Sequence, residues 1–372
     1  MLLTTMQYFI YTTCGTSTFT NPARKDPELN DLIIKNSNAR NENELLPGAK
    51  EKIDAHYDSL IEEWQNYSIA DARAKSAELN SLLSWQEKND IPASECLCFL
   101  LHTDTVLGAN AASLVEEWLT HHGYMSVQLQ KIDSLSTSSL ENFEKGLASL
   151  AEWAFANIPS PEQRSSNEKY VFNVAGGFKS VSGFMQILGQ FLADETIYLF
   201  EGHSEILSMP HLPVRWEENE TIRQNFNDYR RVSLGIPPKN PERLNSLWVR
   251  NGQFTPWGQI AWESAKQELY GEKVHSIIFE KIKEGATFRN SISGLSKEQV
   301  AIVNERIDDL CRYIKGGKKQ PLRRLDYKKV QGGGPYDYEC DVWDGDSKRF
   351  FCTDKDGIVT IERFADAMHK NR

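Results

Sequence analysis

Two short strings of small and hydroxyl-bearing residues carry the clearest anion-binding chemistry in this sequence. One is Thr13-Cys14-Gly15-Thr16-Ser17, the other Asn173-Val174-Ala175-Gly176-Gly177-Phe178-Lys179-Ser180. Glycines let a backbone approach a ligand closely. A helix that starts in such a turn offers free N–H groups and the positive end of its dipole to a phosphate. Lys179 adds a cation, and Thr16, Ser17 and Ser180 add hydroxyl donors. A plainer account stays open: Gly176-Gly177 as a tight turn and Lys179 as a surface charge. Either string alone is a weak signal; the two together, each after a strand, favour an anionic ligand.

The second chemistry lies in the stretch Arg312 to Lys329. It holds Arg312, Lys315, Lys318, Lys319, Arg323, Arg324, Lys328 and Lys329 against the single acid Asp326, and Lys348-Arg349 follows. Tyr327, Tyr336, Tyr338, Trp343, Phe350 and Phe351 are interleaved. Basic side chains hold a phosphate backbone, and aromatics stack on unpaired bases. The competing account is a solvated positive face over a small core of aromatic strands. The charge distribution fits two jobs: the 372-residue chain has a formal charge of −10, yet residues 276–372 carry 19 Lys+Arg against 16 Asp+Glu.

Other chemistries find little support. Cys14, Cys96, Cys98, Cys311, Cys340 and Cys352 have no zinc spacing and read as buried thiols in a reducing compartment. Asp341, Asp344, Asp346, Asp354 and Asp356 lack the spacing of a calcium loop and read as turn residues. His102, His203 and His211 form no ligand set, and His121-His122 reads as a charge near a helix end. No metal or cofactor is expected. The apolar start of the chain has no basic stretch before it and is too short to span a bilayer, so the reading is a cytoplasmic protein with no membrane partner.

These residues need elements to hold them. Met6–Thr13, Cys96–His102, Ser126–Ile132, Lys169–Val174 and Thr196–Phe200 read as strands. Helical patterns over Ala49–Lys88, Asn110–His122, Ser139–Asn157 and Lys179–Ala193 separate most of them. Parallel strands need such crossovers, so the first part reads as a doubly wound, Rossmann-like α/β domain over residues 1–216. Asn21–Glu44 is polar and reads as irregular. Residues 217–274 read as a helical connector clamped by Trp248, Trp257 and Trp262. From residue 275 two helices are expected, His275–Glu284 and Lys297–Ile314. Four short strands follow, Arg324–Val330, Tyr336–Trp343, Arg349–Thr353 and Ile358–Ile361, punctuated by Gly332-Gly333-Gly334, Asp344-Gly345-Asp346 and Asp356-Gly357. Asp-Gly between such runs is a hairpin signal, so residues 275–372 read as a separate α+β domain with an antiparallel sheet.

The two turn strings, with Ile197-Tyr198-Leu199-Phe200-Glu201 and Leu212-Pro213-Val214, resemble the CARF domain of CRISPR-associated proteins. Phe254-Thr255-Pro256-Trp257-Gly258 with Trp262 and Glu263 resembles the connector of one branch of that family. The resemblance covers about the first two thirds of the chain, apart from a polar, insert-like stretch around Asn36–Glu62. It implies a homodimer that binds a cyclic oligoadenylate, cyclic tetra-adenylate by expectation, across its two-fold axis as an allosteric activator. The ligand-binding positions would be Gly15, Thr16, Ser17, Gly176, Gly177, Phe178, Lys179 and Ser180. Ser17 and Lys179 would also cut the ring, by orienting a ribose 2′-hydroxyl and stabilising the phosphorane.

The last quarter is similar, more loosely, to RelE-type ribonuclease toxins. That resemblance implies a metal-independent endoribonuclease, an mRNA interferase that cuts mRNA on the ribosome, with a ribosomal protein as a docking partner. Arg349, Lys329, Lys348 and His369 would be its catalytic residues. Tyr338-Glu339 stand where several members of that family carry lysines. Together the resemblances imply an antiviral-defence ribonuclease switched on by a cyclic nucleotide. A ring nuclease without a second activity and a ligand-responsive transcription regulator are the alternatives.

Overall fold

The most apolar short runs of the chain become its central strands. In the computed structural model, which describes residues 5–135, 139–199, 205–212, 219–319, 324–330, 334–343 and 348–366, Gln7–Thr13 forms β1. It lies between β2 (Cys96–Thr103) and β4 (Glu168–Asn173), parallel to both, with Thr12 opposite Leu100 on one side and Asn173 on the other. A strand paired on both edges and covered on both faces favours apolar and β-branched residues, and the aromatic Tyr8-Phe9-Ile10-Tyr11 run of β1, with Thr12 and Thr13 buried after it, fits that demand. β3 (Ser126–Ile132) and β5 (Glu195–Leu199) extend the parallel set, and β6 (Ile206–Pro210) adds an antiparallel edge. The order is β3-β2-β1-β4-β5-β6. Residues Met1–Arg215 make up this compact unit and Trp216–Arg372 a second.

The crossovers follow the sequence with one addition. α1 (Ser17–Ala23) leaves β1 and is followed by α2 (Pro27–Lys35), where irregular chain was expected. Asp26 caps α2 by accepting from the amides of Glu28 and Leu29, and Pro27 presets its first turn. Only Ile33 of this helix is buried, so its apolar period is hard to see among polar neighbours. The long helical pattern is three helices: α3 (Ala49–Asn66), α4 (Ile69–Lys75) and α5 (Ala77–Asn89), divided where Ser68 and Ser76 act as N-caps. α6 (Val106–His121), α7 (Leu140–Asn157) and α8 (Lys179–Leu192) complete the layers around a core containing Trp64, Trp85 and Trp118. The antiparallel β6 was not anticipated; Phe200, Glu201, His203, Pro213 and Val214 lie outside the described residues.

The second unit begins with α9 (Asn219–Gln224) and α10 (Phe226–Ser233), a two-stranded ribbon of β7 (Val249–Arg250) and β8 (Gln253–Phe254), and α11 (Pro256–Glu272). Trp248 and Trp262 are buried among these elements, while Trp257 is 42% exposed. Residues 275–284 are not a helix, which corrects the expectation: they run as irregular chain into β9 (Ile282–Glu284). β9 pairs in parallel with the last strand and buries Ile282, and this sheet pairing outweighs a helical period of only a few apolar residues. α12 (Phe288–Ser291) and α13 (Lys297–Lys315) follow, then β10 (Lys328–Lys329), β11 (Tyr338–Asp341), β12 (Lys348–Lys355) and β13 (Ile358–Asp366), in the order β10-β11-β12-β13-β9. The β12–β13 turn is Asp356-Gly357 with φ of 54° and 76°, the paired left-handed conformation that this dipeptide favours. Asp344-Gly345-Asp346, Gly332, Gly333, Arg323 and His369 lie outside the described residues.

The segment expected to be a connector shares its packing with the helix that follows. Arg230 of α10 is 0% exposed and forms a bidentate pair with Asp308 of α13, Nε and Nη2 lying 2.9 and 2.6 Å from Oδ1. Tyr270 of α11 donates to the same carboxylate, and Lys266 pairs with Glu263 and Glu305. Among the described residues, no helix is long and apolar enough to cross a membrane. All six cysteines are buried free thiols, as read from the sequence.

Candidate functional site

In the sheet order of the first unit the chain reverses its direction of travel between β1 and β4. That is the switch point of an open α/β sheet, where a crevice opens beyond the carboxyl ends of the strands. The two strings singled out in the sequence are the turns leaving those two strands. They touch: a Cβ built on Gly15 would lie 3.0 Å from the Gly177 amide nitrogen. Thr13 Oγ1 donates to the Gly176 carbonyl at 2.7 Å, and Ser182 Oγ donates to it at 3.2 Å. Gly177 takes φ +85°, a conformation strained for any residue with a side chain.

The junction is organised by a residue the sequence reading passed over. Glu78 of α5 is 2% exposed. Its Oε1 accepts from the Gly15 amide at 2.9 Å, its Oε2 accepts from Ser76 Oγ at 2.8 Å, and its carbonyl accepts from Asn173 Nδ2 at 2.9 Å. A Cβ on Gly176 would come within 2.2 Å of Glu78 Oε1, so any larger residue there would push the Glu78 side chain from its place. Nothing local marks Glu78; it sits near the start of an ordinary helix, and only the docking of α5 gives it this place. Burial, with the nearby Glu78 carboxylate, pushes the pKa of Cys14 beside the turn up and favours its neutral thiol.

Ser17 and Lys179 are each the first residue of the helix after their turn, Ser17 half-buried and Lys179 exposed. Thr16 is half-buried, and Gly177, Phe178 and Ser180 are exposed at the same rim. No side chain caps α8, so its first amides point outward with the positive end of the helix dipole. The structure therefore assembles all eight expected ligand positions at one edge of the sheet.

Beside them is a cavity of about 380 Å³ between α1, α2 and the β2–α6 turn. Thr16, Arg24, Ile34, Thr103, Thr105 and Phe178 are among its lining residues. Thr103 and Thr105 belong to a third strand-end turn; their hydroxyls are 2.9 Å apart, and Thr105 Oγ1 accepts from the Gly108 amide as the N-cap of α6. The rule that located the first two turns would have found this one too. Arg24, at the end of α1, carried no recognisable signal.

In the second unit the charges of the basic stretch are largely spoken for. Asp309, 1% exposed, accepts from Arg306, Arg312 and Arg324 at 2.9, 3.3 and 2.7 Å. Lys318 pairs with Asp354 at 2.5 Å and lies over the stacked rings of Tyr327 and Tyr338. Arg349 is held by two carboxylates of β11: Nη1 is 2.5 Å from Glu339 Oε1 and Nε is 3.0 Å from Asp341 Oδ1. Strand alternation separates the candidates. Lys348 turns to the α13 side, over Phe364 and paired with Asp366 at 2.8 Å, while Arg349 faces the opposite side. By register, exposed Lys329 shares a face with Tyr338 and Cys352. Lys328 shares the Arg349 face with Glu339, Phe351 and Arg363. Lys328, named in the basic stretch but not among the catalytic candidates and paired here with Asp326, and exposed Arg363, not singled out, are thus cations on the Arg349 side. Expected His369 lies outside the described residues. Among the described residues no cluster of His, Cys, Asp and Glu could hold a metal ion.

The first unit is a mixed α/β domain with a parallel-dominated six-stranded sheet and two strand-end turns in contact at its switch point. Residues 73–212 match the model of a CRISPR-associated protein family, Cas_APE2256, a CARF-type family. The match spans less than half of the chain. It takes in Glu78, the β2–α6 turn and the β4–α8 turn, and leaves out β1 with its own turn.

Proposed function

We propose that the first unit is a sensor for a cyclic oligoadenylate and that the second unit is a ribonuclease under its control. The observation that carries the sensor reading is the convergence of two glycine-bearing strand-end turns at the switch point, one of them within the stretch that resembles a CRISPR-associated family. A ring with two-fold symmetry suits a pair of identical subunits, each presenting the same turns, which motivates a homodimer. Lys179 and the uncapped start of α8 supply positive potential for phosphate, and Ser17 and Ser180 supply hydroxyl donors.

The ribonuclease reading is supported by the strand, two helices and four-strand antiparallel meander of the second unit, and by the cations of the Arg349 face. Without a metal, cleavage proceeds by attack of a ribose 2′-oxygen on the adjacent phosphorus. The 2′-proton passes to a base, the P–O5′ bond breaks, and the 5′-oxygen takes up a proton. A 2′,3′-cyclic phosphate and a 5′-hydroxyl remain. Arg349 would stabilise the charge that builds on the phosphate, provided that the phosphate displaces Glu339 and Asp341 from its guanidinium. mRNA in the ribosome is the proposed substrate, because an acidic chain gathers free RNA poorly by charge alone.

The test is a translating-ribosome cleavage assay with and without cyclic tetra-adenylate. mRNA cut only with the ring, and lost in Arg349→Ala while ring binding persists, is the expected result. Binding of the ring with intact mRNA throughout would refute the ribonuclease half. A second reading, a ring nuclease, is favoured by Ser17 and Lys179 standing at adjacent helix starts; it predicts linear oligoadenylate from wild type and none from Lys179→Ala.

A further inference from the structure

We infer that Glu339 is a latch on Arg349 and that Lys328 is its second seat: the second unit is held inactive by its own carboxylate and opens when Glu339 changes partner. This deepens the ribonuclease reading by naming how that site is regulated, and it rests on that reading. As the structure stands, the guanidinium is occupied. Its Nη1 lies 2.5 Å from Glu339 Oε1. Asp341 stands directly opposite Arg349 in the β11–β12 register, with Oδ1 3.0 Å from Nε. A phosphodiester brings one negative charge to a cation that already faces two. It gains the guanidinium donors only when a carboxylate leaves them.

The two carboxylates are not equivalent. Glu339 accepts a hydrogen bond from Nη1, and its side chain is 11% exposed. The Asp341 side chain is 33% exposed. The facing Arg349 Nε and Asp341 Oδ1 are shut from solvent, yet neither has a hydrogen-bond partner among the described residues. Glu339 is therefore the tight contact and Asp341 the loose one, and Arg349 keeps a buried donor that a phosphate oxygen would satisfy. Asp341 can turn to water when an anion arrives. Glu339 has little access to water, and a buried carboxylate stripped of its cation is strongly destabilising, so its release needs another cation.

Strand register supplies that cation. Lys328 of β10 is directly opposite Glu339 on the same face, whereas Arg363 of β13 lies beyond Phe351, two strands away. At present Lys328 pairs with Asp326. The two side chains of that pair are 43% and 48% exposed, and ion pairs so open to water are weak and readily exchanged. The exchange requires no sliding of β11 against β12. Glu339 turns from the β12 side to the β10 side by side-chain rotation, and the freed guanidinium takes the phosphate. One carboxylate with two seats, each beside a full positive charge, is a two-state element that a bound ligand can bias.

The experiment is the translating-ribosome assay on the full chain, with and without cyclic tetra-adenylate, for wild type, Glu339→Gln, Lys328→Met and the double variant. Calorimetry follows ring binding, and circular dichroism follows folding. Glu339→Gln keeps the shape and removes the charge, so mRNA cleavage without the ring is expected to rise at least tenfold above wild type, with ring affinity unchanged. Lys328→Met, at an exposed position, should lower the ring-stimulated rate at least fivefold by itself, and by less than twofold once Glu339→Gln is also present. A ring-free rate within twofold of wild type in folded Glu339→Gln overturns the latch. So does loss of ring-stimulated cleavage in that variant, which would assign Glu339 to the reaction itself. Equal losses from Lys328→Met in both backgrounds overturn the second seat and make Lys328 an RNA contact. Should Glu339→Gln not fold, Lys328→Met decides alone: a ring-stimulated rate within twofold of wild type overturns the exchange. If wild type binds the ring and leaves mRNA intact, the ribonuclease reading falls and this inference with it.

Discussion

Gly176 and Glu78 illustrate how one side chain constrains another across almost a hundred residues of chain. The carboxylate of Glu78 occupies the space that any Cβ at position 176 would need. Gly176→Ala is therefore expected to destabilise the first unit by about 1–3 kcal/mol, as overpacking of a filled site does, and to weaken ring binding by disturbing the turn. Urea denaturation and calorimetry would read the two effects. Two histidines give a pH signature. Burial lowers the pKa of His102 and of His275, so the unfolded chain takes up protons first as pH falls below about 6.5. Stability is unaffected by these groups above that value, drops as pH falls through it, and levels off once the folded rings also protonate. Urea midpoints at pH 7.5 and 5.5 should show this drop, and His275→Gln should make it smaller.

At the scale of elements, the second unit depends on α13. It presents Asp308 to α10 and α11, and Asp309 to the three arginines 306, 312 and 324. Removing one member of a buried pair leaves the other charged and unsolvated. Asp308→Ala should cost about 3–5 kcal/mol, since Arg230 is wholly buried and Tyr270 loses its acceptor as well. Thermal melting of the chain would show it as the early loss of one transition. The β12–β13 hairpin offers a milder check. Gly357 has φ +76° with open space around its Cα, so Gly357→Val is resisted by backbone strain alone. A loss of about 1 kcal/mol or more is expected.

For the molecule as a whole, the position of a cut matters. The chain divides into Met1–Arg215 and Trp216–Arg372 as compact units. Fragments made at that boundary should each fold, with the first retaining ring binding. A fragment that starts at His275 should be unfolded or aggregated, because the cut removes Arg230, Trp262 and Tyr270 from α13 and exposes Asp308 without its partner. Expression of the three fragments, followed by circular dichroism and ring titration, separates these outcomes. A folded, monomeric 275–372 fragment would contradict this account.

The sequence by itself determined many of the local elements and the turns that meet at the switch point. Short, β-branched and aromatic runs flanked by small residues favour strands of a covered sheet, and a Gly-Gly turn leading into a helix shows its geometry in composition alone. The α/β order, the antiparallel meander with its Asp356-Gly357 hairpin, and the eight turn residues were legible for that reason. Tertiary structure decided what depends on distant chain coming together. β9 was hidden because a three-residue strand is defined by its partner, and α2 because one buried residue makes no period. The capture of Arg349 by Glu339 and Asp341 follows from strand register, which charge counts do not encode. Placing Glu78 under the paired turns, and α2 beside the cavity, required α5 to dock on a sheet of six strands distant in the chain and α2 to pack against α1 and α3. Proximity of that kind belongs to packing, and no local pattern records it.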